Sequence, residues 1–300
     1  MGKHAILILV HNNLERVNDF FEIYDHRFYF FIHIDSKSKI SNERIEMVKK
    51  SNSNIVFIGS EYKVNWGGFN FLKAILLLCK KAVDYGGFDY IHSTSESNLP
   101  IKTKNEFVDF FEKNRGYQFI EHFPLETDKW YLGGLNRFNL YNLYDTFNAK
   151  TKIGNFTINK IKTAQKLIGI NRDIKKRIPN LFGGSCWFSL THDCVSYCLN
   201  YLDTHPEFLK CFKYSHCPEE ALFQTVILNS PFKDQVINDH LNYIDWEFRN
   251  GNSPANLDLS DLPILLDSEK LSARKIIPGI SDQLRVEILA SLRDRKFAND

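Results

Sequence analysis

Two spacings of apolar residues alternate along residues 1–122. Short apolar runs are typical of buried strands, whereas apolar residues that recur every three or four positions are typical of amphipathic helices. The runs predict strands at 5–10, 28–34, 54–58, 90–93 and 117–121. The helical spacing predicts helices at 14–24, 41–50, 69–85 and 103–114. Strands separated by helices form βαβ units, so we expect an α/β fold with a mostly parallel central sheet flanked by helices.

Residues 150–177 interrupt this alternation and are strongly basic. They hold nine Lys or Arg residues and one Asp, a net charge of +8 (9 − 1), which leaves −6 (2 − 8) for the remainder of the chain. Interleaved apolar residues predict an amphipathic helix with a basic face. Such a helix can lie on an anionic membrane, and a solvated insertion explains the segment equally well. Beyond it, strands are predicted at 184–190 and 241–246, and helices at 193–202, 218–228, 262–266 and 288–293.

Polar residues follow several of the predicted strands. Ligands of parallel sheets bind at the carboxyl ends of the strands, so a site is expected among these residues. Four such polar segments occur: His11-Asn12-Asn13, His33-Ile34-Asp35-Ser36, Ser95-Glu96-Ser97-Asn98 and Glu121-His122. Because loops are polar in general, an ordinary loop explains any one of these segments equally well.

Composition limits the class of protein. Of 300 residues, 43% are hydrophobic and 25% are charged, values that exclude disordered, collagen-like and coiled-coil chains. The 38 Lys and Arg nearly balance the 36 Asp and Glu, which argues against a nucleic-acid partner. The six cysteines form no CxxC pair, so we expect reduced thiols rather than a zinc knuckle. The apolar run at residues 5–10 is too short for a signal sequence or a membrane span, so we expect a cytoplasmic protein.

Several familiar site motifs are missing from the sequence. There is no GxxxxGK[ST], GxGxxG, HExxH or GxSxG motif. No Asp-x-Asp pair occurs, so the usual carboxylate pair for a metal-bound diphosphate is missing as well.

Four other groups of residues occur in a characteristic order between residues 5 and 276. They are Phe31–Ser38; Trp66-Gly67-Gly68 with Ser95–Thr103; Gly184–Thr191 with Cys217-Pro218-Glu219-Glu220 and Phe223-Gln224-Thr225; and Tyr243–Trp246 with Gly251–Pro254 and Ser272–Lys275. In this order and spacing they resemble the Core-2/I-branching N-acetylglucosaminyltransferase and peptide O-xylosyltransferase family. The chain resembles a bacterial-type member of that family.

The resemblance implies a GT-A-like, Rossmann-type nucleotide-diphosphosugar fold. It implies inverting transfer from a UDP-sugar to a hydroxyl, with neither a cofactor nor a catalytic metal. Residues 1–276 would be a single catalytic domain, in which 1–122 is the nucleotide-binding half and 123–276 the acceptor and catalytic half. The basic segment would be an insertion, and residues 277–300 a helical tail.

The resemblance also implies roles for the most polar motif residues. Glu220 matches the family's general base, with Glu219 in place of the family's Asp. Two acidic residues beside a helix start could instead complement the helix dipole, which fits Glu219 better. Arg274 and Lys275 match a basic pair that stabilises the leaving UDP, although a solvated pair is the ordinary explanation. A second arginine seen in some members has no clear counterpart, and Arg249 is a possible substitute.

Donor and acceptor contacts follow from the same resemblance. Asp35 would accept hydrogen bonds from the uridine, with His11 beside it unless His11 is an ordinary loop histidine. Trp66 and Ser95 would complete the donor site, although Glu96 and Asn98 depart from the family's Gly and Asp. The acceptor residues would be Glu121, Lys129, Trp246 and Phe248, the last replacing a Tyr. Trp246 could equally be a core aromatic at a strand end.

We expect a glycosyltransferase of bacterial surface polysaccharide or lipopolysaccharide assembly. GlcNAc is the expected donor sugar, with xylose and galactose as alternatives. The acceptor would be a glycan or lipid-linked glycan, reached at the inner face of the cell membrane through residues 150–177. A catalytically silent sugar- or nucleotide-binding protein is the alternative that the departures at Glu96, Asn98 and Glu219 leave open.

Overall fold

The computed structural model describes residues 2–299, and the side chains of residues 2–295. Its strands are β1 (His4–Val10), β2 (Phe28–Ile34), β3 (Ile55–Gly59), β4 (Tyr90–Ser95), β5 (Asn98–Pro100), β6 (Gln118–Ile120), β7 (Phe123–Pro124), β8 (Phe182–Gly183), β9 (Phe188–Thr191), β10 (Val236–Ile237), β11 (Asn242–Ile244) and β12 (Ser272–Arg274).

The α-helices lie between the strands. They are α1 (Val17–Ile23), α2 (Asn42–Ser51), α3 (Phe69–Tyr85), α4 (Lys104–Lys113), α5 (Asn136–Asn139), α6 (Lys152–Leu167), α7 (Ile174–Arg177), α8 (His192–Thr204), α9 (Pro206–Phe212), α10 (Leu222–Leu228), α11 (Leu262–Asp267) and α12 (Asp282–Asn299). Short 3-10 turns occur at Leu14–Arg16, Tyr131–Gly134, Pro218–Glu220, Lys233–Gln235 and Leu259–Asp261.

In the described residues the central sheet has seven strands in the order β10-β6-β9-β4-β1-β2-β3. Strand β1 is parallel to both β2 and β4, and β2 is parallel to β3, whereas β9 is antiparallel to its neighbours β4 and β6. The mostly parallel sheet flanked by helices that the sequence predicts is confirmed. Because β1, β2 and β4 run in the same direction, their carboxyl ends lie together at one edge of the sheet.

Both faces of the central sheet are covered. In β1, Ala5, Leu7 and Leu9 pack into a core cluster with α3 and α8. Alternate residues Ile6 and Ile8 pack into a second cluster with α1 and α4. This burial on both faces explains the continuous apolar run of β1, which is the pattern of a parallel strand between two helical layers.

A small second sheet carries part of the candidate site. It has the order β11-β12-β5, with β12 antiparallel to β5. Helix α12 packs against it, because Leu284 and Ile288 are buried in one cluster with Leu99 and Ala273. The helical part of residues 277–299 is therefore joined to the unit that carries Arg274. The domain boundary at residue 276 stays a prediction.

Some element boundaries differ from the sequence prediction. The predicted helix 218–228 is divided into a 3-10 turn and α10, because Ala221 has φ −143° and ψ −28°. The predicted strand 184–190 begins only at Phe188. Helix α9 and strands β5 and β12 were not predicted; each of these strands spans three residues, too few to show an alternating pattern.

Candidate active site

A cavity of about 340 Å³ opens at the carboxyl edge of the central sheet. The ends of β1, β2 and β4 line it, together with the loop before α3 and the end of β12. All of the residues predicted to bind the donor are among its lining residues: His11, Asp35, Trp66, Ser95, Arg274 and Lys275. The fold therefore brings together side chains that are more than 260 residues apart in the sequence.

Asp35 is fixed at one end of this cavity. Its side chain is 2% exposed and accepts hydrogen bonds from the backbone N–H groups of Lys37 and Val64, each at 3.0 Å. The Nδ1 atom of His11 lies 2.8 Å from Asp35 Oδ2. Burial alone would raise the pKa of Asp35, but these hydrogen bonds and the charge of Lys37 hold the pKa below its usual value. Asp35 is therefore an oriented anion at neutral pH, in direct contact with His11.

Arg274 is held by neutral partners at the end of β4, which β1 separates from the end of β2 that carries Asp35. Its Nη1 donates to Ser95 Oγ at 2.7 Å, to Ser97 Oγ at 2.5 Å and to Asn98 Oδ1 at 2.9 Å. The guanidinium also lies over the ring of Trp187, 4.7 Å from its centroid. Asn98, one of the departures from the family pattern, thus orients Arg274 without neutralising it.

Glu96, the other departure in this loop, joins two strand ends. Its carboxylate accepts from the backbone N–H of Asn13 at 2.7 Å and of Asn12 at 3.1 Å. The contact ties the loop after β1 to the loop after β4. Glu96 therefore stabilises the shape of the cavity wall.

Lys275 follows Arg274 in a concentration of positive charge. Burial, and then the charges of Arg274 and Lys150, lower the pKa of Lys275 to about 8. Within the described chain, neither Arg274 nor Lys275 forms an ion pair with a carboxylate. The part of the cavity around these two cations is therefore suited to an anion.

The loop that carries Glu219 and Glu220 packs against the Trp66 loop. Cys217 donates its backbone N–H to the Gly67 carbonyl at 3.0 Å. Gly67 has φ +76°, and an added Cβ there would meet the His216 ring at 2.5 Å, so both conformation and space require glycine. The ring of Trp66 stands edge-on to His216 at 5.1 Å. This close approach brings Glu219 and Glu220 to the same edge of the molecule as the cavity.

The two glutamates occupy different environments. The Glu219 residue is 4% exposed, and its Oε2 has no hydrogen-bond partner among the described residues. Burial, and the nearby charge of Glu220, raise the pKa of Glu219 well above its usual value. The Glu220 side chain is 30% exposed, and its Oε2 accepts from Arg137 Nη1 at 2.5 Å. Burial raises the pKa of Glu220 as well, while Arg137 opposes the shift.

Arg137 was not singled out by the sequence. Its guanidinium stacks on the ring of Trp130 at 3.7 Å, so Glu220 is approached by a cation whose position is fixed. Arg137 lies in the four-residue helix α5 and Trp130 just before the 3-10 turn Tyr131–Gly134, where no periodicity or motif marks either residue. Only the folded structure brings Arg137 within reach of Glu220.

Three side chains around the loop could together hold a metal ion. One ligand atom from each of Cys217, Glu219 and Glu220 lies within 4.8 Å of the others. Burial raises the pKa of the Cys217 thiol and of the Glu219 carboxyl well above their usual values, so both would have to lose a proton on binding a cation. The expectation of a metal-free reaction stays a prediction.

One of the predicted acceptor residues, Glu121, lies near Glu220. After burial, the charge of Glu121 adds to the raised pKa of Glu220, and a Cβ on Gly184 would lie 1.9 Å from the Glu121 carbonyl oxygen. Gly184 itself donates to the Glu220 carbonyl at 2.8 Å, so the two glutamates flank one glycine. Lys129 lies closer to β7, with its Nζ 4.8 Å from the centroid of the Phe123 ring.

The other two acceptor residues lie on an exposed loop. The side chains of Trp246 and Phe248 are 66% and 78% exposed, so Trp246 is not a core aromatic. Neither lines the donor cavity.

Arg249 was a possible second cation for the donor, and the structure contradicts that assignment. It is bound by Asp245 and Asp258, at 3.1 and 3.2 Å, and by Asp261 at 2.6 Å. Its charge is therefore already neutralised, and it organises the loop that carries Trp246.

The basic segment contains a helix, as the sequence predicts. Helix α6 turns Ile158 inward, while Ile153, Phe156, Leu167 and Ile168 are 81%, 63%, 81% and 73% exposed. Among residues 2–299, no helix is both long and apolar enough to cross a bilayer.

A family model described as Core-2/I-Branching enzyme matches residues 5–264. The chain belongs to this family. Xylosyltransferase oxt of Drosophila pseudoobscura pseudoobscura is 26% identical over 287 residues, which are 86% of this chain and 29% of that protein. Xylosyltransferase 1 of Homo sapiens is 24% identical over 256 residues, which are 82% of this chain and 24% of that protein. The chain thus spans less than a third of the length of these relatives.

Solved structures give a weaker likeness. The WbbM bifunctional glycosyltransferase aligns with 96% of this chain and 50% of that chain, at 11% identity and a TM-score of 0.44. Residues 1–349 of S. aureus TarS align with 99% of this chain and 72% of that chain, at 10% identity and a TM-score of 0.37. The family assignment therefore rests on the sequence match.

For this branching-family chain, the cavity predicts how the binding of UDP depends on pH. Protonated Lys275 is the form that attracts a diphosphate, and the proton is lost as pH rises through the pKa of about 8. The dissociation constant for UDP, measured by calorimetry from about pH 7 to about pH 8.5, below the ionisation of the uracil N–H, should therefore increase as the pH passes about 8. Uridine should not show this increase, because it carries no phosphate. A Lys275→Met variant should bind UDP more weakly, and its dissociation constant should no longer increase with pH. The same increase in that variant would contradict the assignment.

Proposed function

We propose that the chain is an inverting glycosyltransferase that moves a sugar from a UDP-sugar to a hydroxyl of a glycan acceptor. The observation that carries the proposal is the cavity that holds the carboxylate of Asp35 together with the two cations Arg274 and Lys275, with Glu220 nearby. Cys186 links the two parts, because the glutamates at 219 and 220 and Arg274 all act on its pKa, which burial chiefly raises. Family membership supports the same reaction class.

The donor would be oriented by its nucleotide. Asp35 is an anion with fixed lone pairs, which suits hydrogen bonds from ribose hydroxyls or from the uracil N–H. His11 and Trp66 would close the same end, and Ser95 would act through its hydrogen bond to Arg274. Arg274 and Lys275 would neutralise the charge that develops on the diphosphate as the bond to the sugar breaks.

Glu220 would act as the general base. The acceptor hydroxyl attacks C1 of the donor sugar from the side opposite UDP, so the new C–O bond forms as the bond to the diphosphate breaks and the configuration at C1 inverts. The proton of the hydroxyl passes to the carboxylate of Glu220. A pKa raised by burial makes Glu220 a better base, and the charge of Arg137 favours its ionised form. Burial and the charge of Glu220 raise the pKa of Glu219 well above its usual value, which favours its protonated form.

Acceptor binding would involve two kinds of side chain. Glu121, near Glu220, and Lys129 would contact acceptor hydroxyls. The exposed rings of Trp246 and Phe248 would stack on sugar faces, and Phe248 offers no hydroxyl for a further hydrogen bond. We propose GlcNAc as the donor sugar, with xylose and galactose as alternatives.

The acceptor would be a glycan or lipid-linked glycan of bacterial surface polysaccharide or lipopolysaccharide assembly. Helix α6 supports this proposal, because exposed Ile153 and Phe156 adjoin Lys152 and Lys160 on its outer side. Apolar and basic side chains on one face suit the surface of an anionic bilayer. The enzyme would then work in the cytoplasm, at the inner face of the membrane.

Glu220→Gln tests the assignment of the base. The variant should lower sugar transfer, measured as UDP release with acceptor present, by about a hundredfold to ten-thousandfold, while UDP binding is retained. Glu219→Gln is the matched control. It should have little effect, because the protonated carboxyl of Glu219 and an amide are both neutral. Equal losses in the two variants would contradict the distinction between the glutamates, and a wild-type chain inactive with every UDP-sugar would favour a silent binding protein.

Chelation tests whether the reaction is metal-free. UDP release by the wild-type chain in EDTA should equal that in added Mn²⁺ or Mg²⁺, because Arg274 and Lys275 supply the positive charge at the diphosphate. A loss in EDTA that is reversed by the ion would contradict this. A Cys217→Ser variant would then show whether the Cys217, Glu219 and Glu220 cluster is the site responsible.

Vesicle co-sedimentation tests the membrane contact. Neutralising Lys152, Lys160 and Lys166 to Gln should weaken binding to phosphatidylglycerol vesicles by about a hundredfold, at ~1 kcal/mol for each lysine near the surface. The control carries Lys49→Gln and Lys50→Gln on α2 and should bind as the wild type does. Unchanged sedimentation of the α6 variant would exclude the contact.

A further inference from the structure

Lys150, the first residue of the basic segment, differs from the lysines that follow it. Lys150 and Asn148 line the donor cavity. Lys152 and Lys160 instead line an open groove on the outer side of α6, beside Phe156. One stretch of basic sequence therefore divides between two surfaces of the protein.

The backbone around Lys150 is anchored to the cavity wall. Its N–H donates to Asn148 Oδ1 at 3.0 Å, and Thr151 Oγ1 accepts from the N–H of Gly154 to cap α6. Upstream of the basic segment, the side-chain amide of Asn65 donates to the Tyr144 carbonyl at 2.8 Å, which joins the chain before Lys150 to the Trp66 loop. Lys150 thus lies at a fixed place on the rim of the cavity, with an exposed, flexible side chain.

The charge of Lys150 reaches the cationic end of the cavity. It contributes, after burial and Arg274, to the lowered pKa of Lys275. Among the described residues, Lys150 forms no ion pair. Three cations therefore converge without a carboxylate partner: Lys150, Arg274 and Lys275.

The carboxylates of the cavity are engaged elsewhere. Asp35 is bound by His11 and lies 3.5 Å from Lys37 Nζ. Glu96 accepts backbone N–H groups from the loop after β1. Among the described residues, neither forms an ion pair with the three cations, although the charge of Glu96 raises the pKa of Arg274 against the larger, lowering effect of burial. An anion of more than one negative charge would relieve the mutual repulsion of the cations.

We propose that Lys150 is a third cationic contact of the donor's diphosphate, in addition to Arg274 and Lys275 of the same cavity. The inference rests on the proposed function, because it assumes a UDP-sugar in this cavity. An ammonium group on a flexible stem suits such a contact, since it can reach a phosphate oxygen without a fixed geometry. Lys150 then belongs to the donor site rather than to the membrane-facing surface.

Calorimetric titration of the full chain with UDP and with uridine tests this inference. Lys150→Met should weaken UDP binding by about tenfold or more and leave uridine binding unchanged, because only UDP carries the diphosphate. Lys150→Arg should retain most of the UDP affinity. Lys152→Met is the matched control, a lysine two positions away on the outer side of α6, and should bind both ligands as the wild type does.

The outcomes separate the inference from the proposed function. If the wild type binds UDP and Lys150→Met binds it equally well, the inference is wrong and the proposed function stands. Equal weakening of UDP and uridine binding would also overturn it, since it would mean that Lys150 only supports the loop. A wild-type chain that binds no UDP would instead overturn the proposed function.

Discussion

The site depends on a guanidinium that is held without being neutralised. Burial lowers the pKa of Arg274 to about 10, so the group keeps its proton at neutral pH. Its hydrogen-bond partners, Ser95, Ser97 and Asn98, are all uncharged. A carboxylate among them would have stabilised the empty protein at the expense of anion binding. The neutral partners fix the direction of the N–H groups and leave the charge for a ligand.

The small second sheet positions Arg274 for this arrangement. Antiparallel pairing of β12 with β5 sets Arg274 opposite Asn98 in register, directly beyond the end of β4. The core under this sheet includes Ile288 of α12, so the position of one cation depends on packing near the C-terminus. The carboxyl edge of a parallel sheet supplies the anion Asp35, and the added sheet supplies the opposite charge.

The two adjacent glutamates show how environment separates chemically identical groups. Both have raised pKa values, because burial outweighs the favourable effect of the short helical turn in which they lie. Only Glu220 has a cationic partner, Arg137, and only Glu220 reaches solvent to an appreciable extent. When two neighbouring carboxyl groups have different environments, their pKa values differ, and so do the roles that they can take. Glu220 therefore suits a base and Glu219 a neutral support.

Sequence periodicity predicted the part of the fold that depends on burial, and motif order predicted most residues of the candidate site. Strand 28–34 and helix 69–85 were predicted at their observed bounds, because each buries a regular apolar pattern. Residues whose importance arises from distant partners were missed. Nothing near Arg137 in sequence marks it as the partner of Glu220, and Arg249 was misjudged because its three aspartate partners are not evident from spacing.

The same limitation affects the basic segment, where the net charge overstates the number of basic side chains that can face a membrane. Of its nine basic residues, Lys150 lines the donor cavity and Lys162 donates to Tyr144 Oη at 3.0 Å. Arg172 donates to the carbonyls of Phe138 and Cys211, while Lys175 and Lys176 pair with Glu126 and Asp173. Four exposed residues have none of these contacts: Lys152, Lys160, Lys166 and Arg177. The attraction to an anionic bilayer should therefore reflect about four charges together with the exposed apolar side chains of α6, and not the net +8 of the segment.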